Sequence, residues 1–262
     1  MNKKWRLILD EKCDGYYNMA VDEAILLNYG LKKIPTLRLY GWDKPFISLG
    51  YNQQADKVLN SDGDIPFVRR ITGGASILHD KELTYSITCS LEDLNLPKGV
   101  KESYAIICSF LKEFYRRLGF AAVFAKDIFN DKLSRYENFC FSSYEPFDLI
   151  VEGKKIGGNA QRRKHNTIFQ HGSIPQEIDF KKVCKTIKTS GSLEIKTISL
   201  DTLTKQKTNF CQLRSLLYLS FQSSFGVELA ENSLFKEEEE SSQVLLKEKY
   251  RLKHWNLHKK PA

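Results

Sequence analysis

Cys140 stands between two phenylalanines in the run Asn138-Phe139-Cys140-Phe141-Ser142-Ser143. A thiol attacks carbon only as its thiolate, which needs a nearby cation or base. Lys155, fifteen positions on, is a candidate cation. It follows the turn Glu152-Gly153-Lys154 and precedes apolar Ile156, so it rides the returning arm of a hairpin. A charge held partly dry acts strongly on whatever lies beside it. Each residue also has a plainer reading. A cysteine between phenylalanines is more often core, and a hairpin lysine is more often solvated. The spacing permits the two to meet without requiring it.

Two glycine-rich stretches supply backbone rather than side chains. Arg69-Arg70-Ile71-Thr72-Gly73-Gly74-Ala75 follows a predicted strand and leads to Leu78-His79-Asp80. Paired glycines there let backbone N–H groups approach an anion or carbonyl closely, and the arginines add fixed charge. A tight turn with surface arginines is the competing reading. The second stretch, Ile156-Gly157-Gly158-Asn159-Ala160-Gln161-Arg162-Arg163, directly follows Lys155.

Short elements must hold these groups. Strands are predicted at Trp5–Leu9, Thr36–Tyr40, Phe46–Leu49, Phe67–Arg70, Leu83–Thr88 and Asn166–Ile174, with a hairpin from Phe147–Val151 into Lys155-Ile156. Residues 83–88 alternate, with Leu83, Tyr85 and Ile87 on one face and Thr84, Ser86 and Thr88 on the other. Helices are predicted at Asn18–Tyr29, with Asp22 and Glu23 early as the helix dipole prefers, and at Ser103–Leu118, closed by Gly119. Residues 127–138 read as a loop. From Phe180 the pattern turns helical and lysine-rich, interrupted at Thr189-Ser190-Gly191-Ser192, and Glu237–Glu240 reads as a solvated helix start. Strands first and helices later give an α+β class, a mixed or antiparallel sheet with helices packed on it. We expect one catalytic domain over residues 1–262, helix-rich from about 180, since no linker-like stretch divides it.

Bulk properties narrow the partners. The 262 residues carry a net charge of +8, which favours an acidic partner. No basic block interleaved with aromatics reads as a nucleic-acid stripe, and no apolar run approaches the ~18 residues of a membrane span. The six cysteines are scattered, with no CxxC pair and no metal-ligand spacing. A reducing cytoplasm is the expected compartment.

Taken together, the segments resemble the biotin/lipoate protein ligase and lipoyl/octanoyl transferase superfamily. The matching stretches are Arg69-Arg70-Ile71-Thr72-Gly73-Gly74, Leu78-His79-Asp80-Lys81-Glu82-Leu83-Thr84-Tyr85-Ser86, Gly153-Lys154-Lys155-Ile156-Gly157-Gly158-Asn159-Ala160-Gln161-Arg162 and His171-Gly172-Ser173. Asn18–Ala24, Ser48–Gln53, Lys249-Tyr250 and Trp255-Asn256 also fit, so the likeness spans nearly the whole chain. The branch it is most similar to is the octanoyltransferase that loads the glycine-cleavage H protein, which has a Cys-Phe ahead of the GxKIxG hairpin. Two departures fall in the expected acyl pocket: Ala75 where ligases carry a third glycine, and Gly157-Gly158-Asn159 in place of small-Gly-Ser.

That resemblance implies a biotinyl/lipoyl ligase-like fold and an acyl transfer without cofactor or metal. Cys140 would take octanoyl from an acyl carrier protein as a thioester. A lysine of a lipoyl domain or of the glycine-cleavage H protein would then receive it. Lys155 would lower the Cys140 pKa, raising the thiolate fraction at pH 7 roughly tenfold or more if the shift is ~1.5–2 units. Backbone N–H groups of Gly158, Asn159 and Ala160 would hold the oxyanion, and Arg70, Gly73 and Gly74 would wall the acyl tail. His79 or Lys155 would take the acceptor's proton, or His79 would be structural. His171, with Gly172, is expected beside the oxyanion region in a structural role. The competing readings are an ATP-dependent lipoate–protein ligase using Lys155 and the Gly73-Gly74 turn, an octanoyl amidotransferase acting between lipoyl domains, and a non-catalytic acyl-carrier binder.

Overall fold

The computed structural model describes residues 3–61, 63–129, 138–189 and 196–259. The first half runs β1 (Lys4–Cys13), α1 (Gly15–Lys32), β2 (Thr36–Trp42), β3 (Phe46–Leu49), α2 (Ala55–Val58), β4 (Phe67–Arg69), β5 (Ile77–His79) and β6 (Glu82–Ser90). Next come α3 (Val100–Ile107), α4 (Ser109–Arg117), β7 (Val123–Phe124), β8 (Leu149–Val151), β9 (Lys154–Lys155), β10 (Gly158–Lys164) and β11 (Thr167–Pro175). The last part holds α5 (Phe180–Thr186), α6 (Leu200–Thr204), α7 (Phe210–Phe225), β12 (Glu228–Glu231), α8 (Lys236–Leu245) and α9 (Lys253–His258). Most of the loop read at 127–138 and of the interruption at 189–192 lies outside the described residues.

The fold is α+β, as the residue pattern predicts. A six-stranded sheet has the order β10-β11-β6-β2-β1-β12. Its pairs from β10 to β2 are antiparallel, while β1 runs parallel to both β2 and β12. Two three-stranded sheets, β4-β3-β5 and β7-β8-β9, stand beside it. Strands β5, β7, β10 and β12 escape the sequence patterns. β10 is Gly-Asn-Ala-Gln-Arg-Arg-Lys, with no apolar alternation, and it forms because β11 offers it seven successive register partners.

β6 shows why the sheet is two-sided. Its alternation holds, yet every residue from Glu82 to Cys89 is buried. Leu83, Tyr85 and Ile87 pack into the core built by α4 and α7, with Phe110, Phe114, Leu217 and Phe221. The opposite, polar face meets α1, where Ser86 Oγ donates to Asp22 Oδ1 at 2.8 Å. On the same face Thr84 Oγ1 donates to Glu82 Oε1 at 2.5 Å, so these buried hydroxyls are paired.

Helix α1 starts three residues before the predicted Asn18. Asp14 caps it, accepting from the backbone N–H groups of Tyr16 and Tyr17 at 2.9 and 3.0 Å. Asp22 and Glu23 therefore lie mid-helix and do not serve the dipole. Asp22 is buried against Arg38, Tyr40 and Ser86. Glu23 accepts from Lys249 Nζ and Tyr250 Oη. The helix predicted over Ser103–Leu118 is two segments, with a tight turn at Cys108 whose carbonyl accepts from Leu111 N at 3.1 Å. Gly119, at φ +91°, closes it as predicted. In α8, Glu237, Glu239 and Glu240 are exposed as expected. Glu238 is buried in a bidentate pair with Arg6, both bonds at 2.6 Å. Among the described residues no helix is long and apolar enough to cross a membrane.

Candidate active site

Phe139 and Phe141 are buried in an apolar cluster with Ile47, Leu49, Ile77, Val183 and Ile187. The core reading of this run therefore fits the phenylalanines and not the cysteine. Pinned on both sides, Cys140 opens a single 3-10 turn, Cys140–Ser142, and is only half-buried. Its backbone is registered against the loop before β5: Cys140 N donates to Ser76 O at 2.9 Å, and Ser76 N to Asn138 O at 3.0 Å. Asn138 O also accepts from Gln53 Nε2 at 2.9 Å.

Lys155 comes from the other side. Glu152 and Gly153, at φ +49° and +76°, turn β8 back into β9 and set Ile150 opposite Lys155. Its side chain is wholly buried. Nζ lies 3.5 Å from Cys140 Sγ and donates to Cys140 O at 2.7 Å. Its remaining acceptors are Ser143 O at 3.3 Å and Asp148 Oδ2 at 2.5 Å. The solvated-lysine reading of the hairpin is thus wrong.

Asp148 went unnoticed in the sequence, although the hairpin register contains it. Side chains alternate along a strand, so Asp148 shares the face of Ile150, and Ile150 opposes Lys155. A lone acid two positions before a residue that faces a buried lysine is its diagonal neighbour.

The three groups set one another's charge. Burial pushes the Cys140 thiol up, Lys155 and Arg70 draw it down, Asp148 pushes it up, and the net result lies above the ordinary thiol value. Lys155 thus pulls the thiol down as expected, and burial outweighs it. Burial likewise lifts Asp148 above the usual carboxylate range against the pull of Lys155. For Lys155, burial favours the neutral amine, but Asp148 and Cys140 outweigh it and keep the ammonium.

Cys140 opens onto a cavity of ≈ 680 Å³. Arg70, Gly73, Gly74, His79, Gly158, Asn159, Ala160, His171 and Gly172 all line it, together with Asp148. Lys155 lies behind the wall. Met19, Tyr40, Trp42 and Ile77 supply apolar lining.

Space at the sulfur depends on Gly158. A Cβ there would sit 2.9 Å from Cys140 Sγ and 3.1 Å from Ile77 Cδ1. Tyr85 Oη donates to Asn159 Oδ1 at 2.7 Å and Tyr104 Oη to Asn159 O at 3.2 Å, which fixes this first turn of β10.

Arg69 and Arg70 are both buried, against the surface-arginine reading. Arg70 braces the glycine loop: its guanidinium donates to Gly73 O at 2.6 Å, Ala75 O at 2.8 Å and Ser48 O at 3.1 Å. Gly74 takes φ +85° there. Arg69 ties Gly50, Tyr51 and Gln53 carbonyls to the backbone of Trp255 and Asn256 in α9.

Both ring nitrogens of His79 are engaged, Nδ1 with Glu82 Oε1 at 2.8 Å and Nε2 with Ser48 Oγ at 2.7 Å. Its ring stacks on Trp42, centroids 3.9 Å apart. This arrangement leaves no ring nitrogen directed at an incoming amine, and it favours the structural alternative. His171 Nε2 meets Thr72 Oγ1 at 2.7 Å, and burial lowers its pKa although Asp22 opposes that.

Residues 14–222 match the model of the lipoyl protein ligase A/B catalytic domain. Octanoyltransferase LipM of Bacillus anthracis is 36% identical over 98% of this chain and 99% of its own. The chain belongs to the lipoyl protein ligase A/B family. Solved members share the lipoyl protein ligase fold. A lipoate-protein ligase A structure bound with ATP superposes with a TM-score of 0.81 at 22% identity, covering 97% of this chain and 98% of the other. A putative lipoate protein ligase from Thermoplasma acidophilum with bound lipoic acid gives 0.80 at 20% identity, covering 97% and 99%. The family match ends before β12, α8 and α9, so the α9 backbone that braces Arg69 lies outside it.

Proposed function

We propose that this chain acts as one catalytic unit, an octanoyltransferase of lipoate biosynthesis that carries the acyl group on Cys140. The observation that carries the reading is a half-buried thiol on a largely apolar-walled cavity, 3.5 Å from a wholly buried ammonium. The sulfur attacks the thioester carbonyl of octanoyl-acyl carrier protein. A bond forms from Sγ to the carbonyl carbon, and the carrier thiol leaves. β10 is the terminal strand of its sheet, so alternate N–H groups near Gly158, Asn159 and Ala160 turn away from β11 and are available to the developing oxyanion. The acyl tail runs along Met19, Tyr40, Trp42 and Ile77, where each buried CH₂ contributes about 0.8 kcal/mol. A neutral lysine amine of a lipoyl domain or H protein then attacks the Cys140 thioester and leaves as the amide. Both protein partners are expected to be acidic, and the net charge of +8 would speed their encounter.

Mixing the protein with octanoyl-carrier protein, in EDTA and without nucleotide, should give an octanoyl adduct on Cys140 by mass spectrometry. Adding the acceptor should discharge it. Cys140→Ala should form no adduct and transfer nothing, with thermal unfolding unchanged. A strict ATP requirement without an adduct would replace this reading with the ligase. The same substitution at Cys13, Cys89, Cys108, Cys184 or Cys211 should leave activity within about threefold, because none of them lines this cavity.

A further inference from the structure

Lys155 Nζ carries three protons and faces four acceptors, of which two can bear a negative charge: the Asp148 carboxylate and the Cys140 sulfur. A wholly buried ammonium needs one anion nearby. Two would repel each other across a few ångströms of low-dielectric interior. We propose that Asp148 is the resting counter-ion of Lys155, that it competes with the Cys140 thiolate for this one ammonium, and that it receives the thiol proton when the thiolate takes its place. The inference rests on the cysteine-transfer reading above.

The geometry favours exchange over a fixed strut. Asp148 Oδ2 is 2.5 Å from Nζ and Cys140 Sγ 3.5 Å from it, so the resting bond goes to the carboxylate. Asp148 also lines the cavity. It is tethered only lightly, its second contact being Glu145 N donating to Oδ2 at 2.7 Å. The ionisable groups whose charge couples to this cluster are Arg70 from the loop after β4, Tyr104 from α3 and Tyr144 from the turn before β8, while Glu145, Lys101, His79 and His171 line the same cavity. Buried Cys108 lies close enough to feel the Asp148 charge. None of the other acids bonds Lys155.

The proton account closes in each half-reaction. As Sγ bonds to the carbonyl carbon, the thiol proton passes to Asp148 and Lys155 remains charged. The departing carrier thiolate then takes that proton. In the return step the attacking amine gives a proton to Asp148. The Cys140 thiolate, expelled beside Lys155, recovers it. Asp148 thus takes protons directly from the reacting thiol and amine, besides setting the charge balance at Lys155. Its removal should separate two rates that a general structural defect would lower together.

The experiment measures carboxamidomethylation of Cys140 by iodoacetamide from about pH 5 to 9.5, with no substrate present, in wild type, Asp148→Asn and Asp148→Ala. Losing the competing carboxylate should move the midpoint down by about one unit, so that alkylation at pH 7 is about tenfold faster. Octanoyl transfer by the same variants should fall about tenfold or more. Asp148→Ala is included because the space it leaves opens to the cavity, where water can hydrate the ammonium. A midpoint at or above wild type in either folded variant would overturn the proposal. So would failure of both to fold, which would make Asp148 a strut. If Cys140 instead takes no octanoyl adduct in wild type, the transfer reading fails while the alkylation result still stands or falls by itself.

Discussion

Two buried cations in this molecule have opposite designs. Arg38, in β2, is wholly buried and spends its planar fork on fixed partners. Nε donates to Asp10 Oδ2 at 2.7 Å, Nη1 to Asp22 Oδ1 at 2.8 Å and Asn18 O at 3.1 Å, and Nη2 to Asn18 Oδ1 at 3.0 Å. Asp22 is closed in turn by Tyr40 Oη and Ser86 Oγ. Lys155, equally buried, is a point charge with more acceptors than protons, and one of those acceptors is a nucleophile. The first site commits its fork to fixed partners and fixes how α1 lies on the sheet. The second is oversubscribed, so its charge can be shared differently as the reaction proceeds.

Exchanging each cation for methionine should invert the two consequences. Lys155→Met should reduce octanoyl transfer at least about a hundredfold and move Cys140 alkylation to higher pH, because the cation that favours the thiolate is gone. Its stability cost should stay under about 2 kcal/mol, since burial already raises the Asp148 pKa and the carboxylate can take a proton once the ammonium is gone. Arg38→Met leaves two acids uncompensated beneath α1. It should cost about 3–5 kcal/mol in urea unfolding, with the alkylation midpoint of the folded protein unchanged. Equal stability losses would end the contrast.

A subtler change tests whether the Lys155 site needs open space where the Arg38 site needs none. Gly158→Ala would place a methyl 2.9 Å from Cys140 Sγ. Acylation of Cys140 should slow about tenfold or more, with stability within about 1 kcal/mol. An unchanged acylation rate would show that the sulfur can yield, and that Gly158 does not keep the attack path clear.

The sequence disclosed the site's outline better than its electrostatics. Every residue predicted for the site lines one cavity or, as Lys155, stands directly behind it. Residue type and spacing alone left Cys140 with a core reading and Lys155 with a solvated one, and the resemblance to the ligase and transferase superfamily supplied the set. Asp148 left no mark of its own, because its meaning depends on the register of a two-residue strand, β9. The same holds for the fold. β3 matched residue for residue, bounded by a Pro-containing turn and a glycine. β10 and β12 went unread because polar edge strands carry no alternation, and partners distant in sequence create them. Asp22 and Glu23 of α1 serve Arg38 and Lys249 and not the helix dipole, and those partners come from elsewhere in the chain.

The two aspartates should also differ in the sign of their pH dependence, a smaller effect and a sharper test. For Asp22, burial acts to raise the pKa, but Arg38 and His171 outweigh it and hold the carboxyl below its usual range. The folded state then binds fewer protons than the unfolded chain near the unfolded carboxylate pKa. Asp22 therefore contributes stability above that pKa and loses it as pH falls through the folded value. Burial holds Asp148 above the usual range despite Lys155. Here the folded state binds more protons, so stability declines as pH rises from the unfolded value toward the folded one. Urea unfolding of wild type, Asp22→Asn and Asp148→Asn across about pH 3 to 8 separates the cases. The penalty of Asp22→Asn should shrink on acidification, and that of Asp148→Asn should shrink as pH rises. Each slope is at most about 1.4 kcal/mol per pH unit, the limit for one proton. Parallel trends in the two variants would mean that both acids are fixed ion-pair partners, and Lys155 would then have no charge free to pass to Cys140.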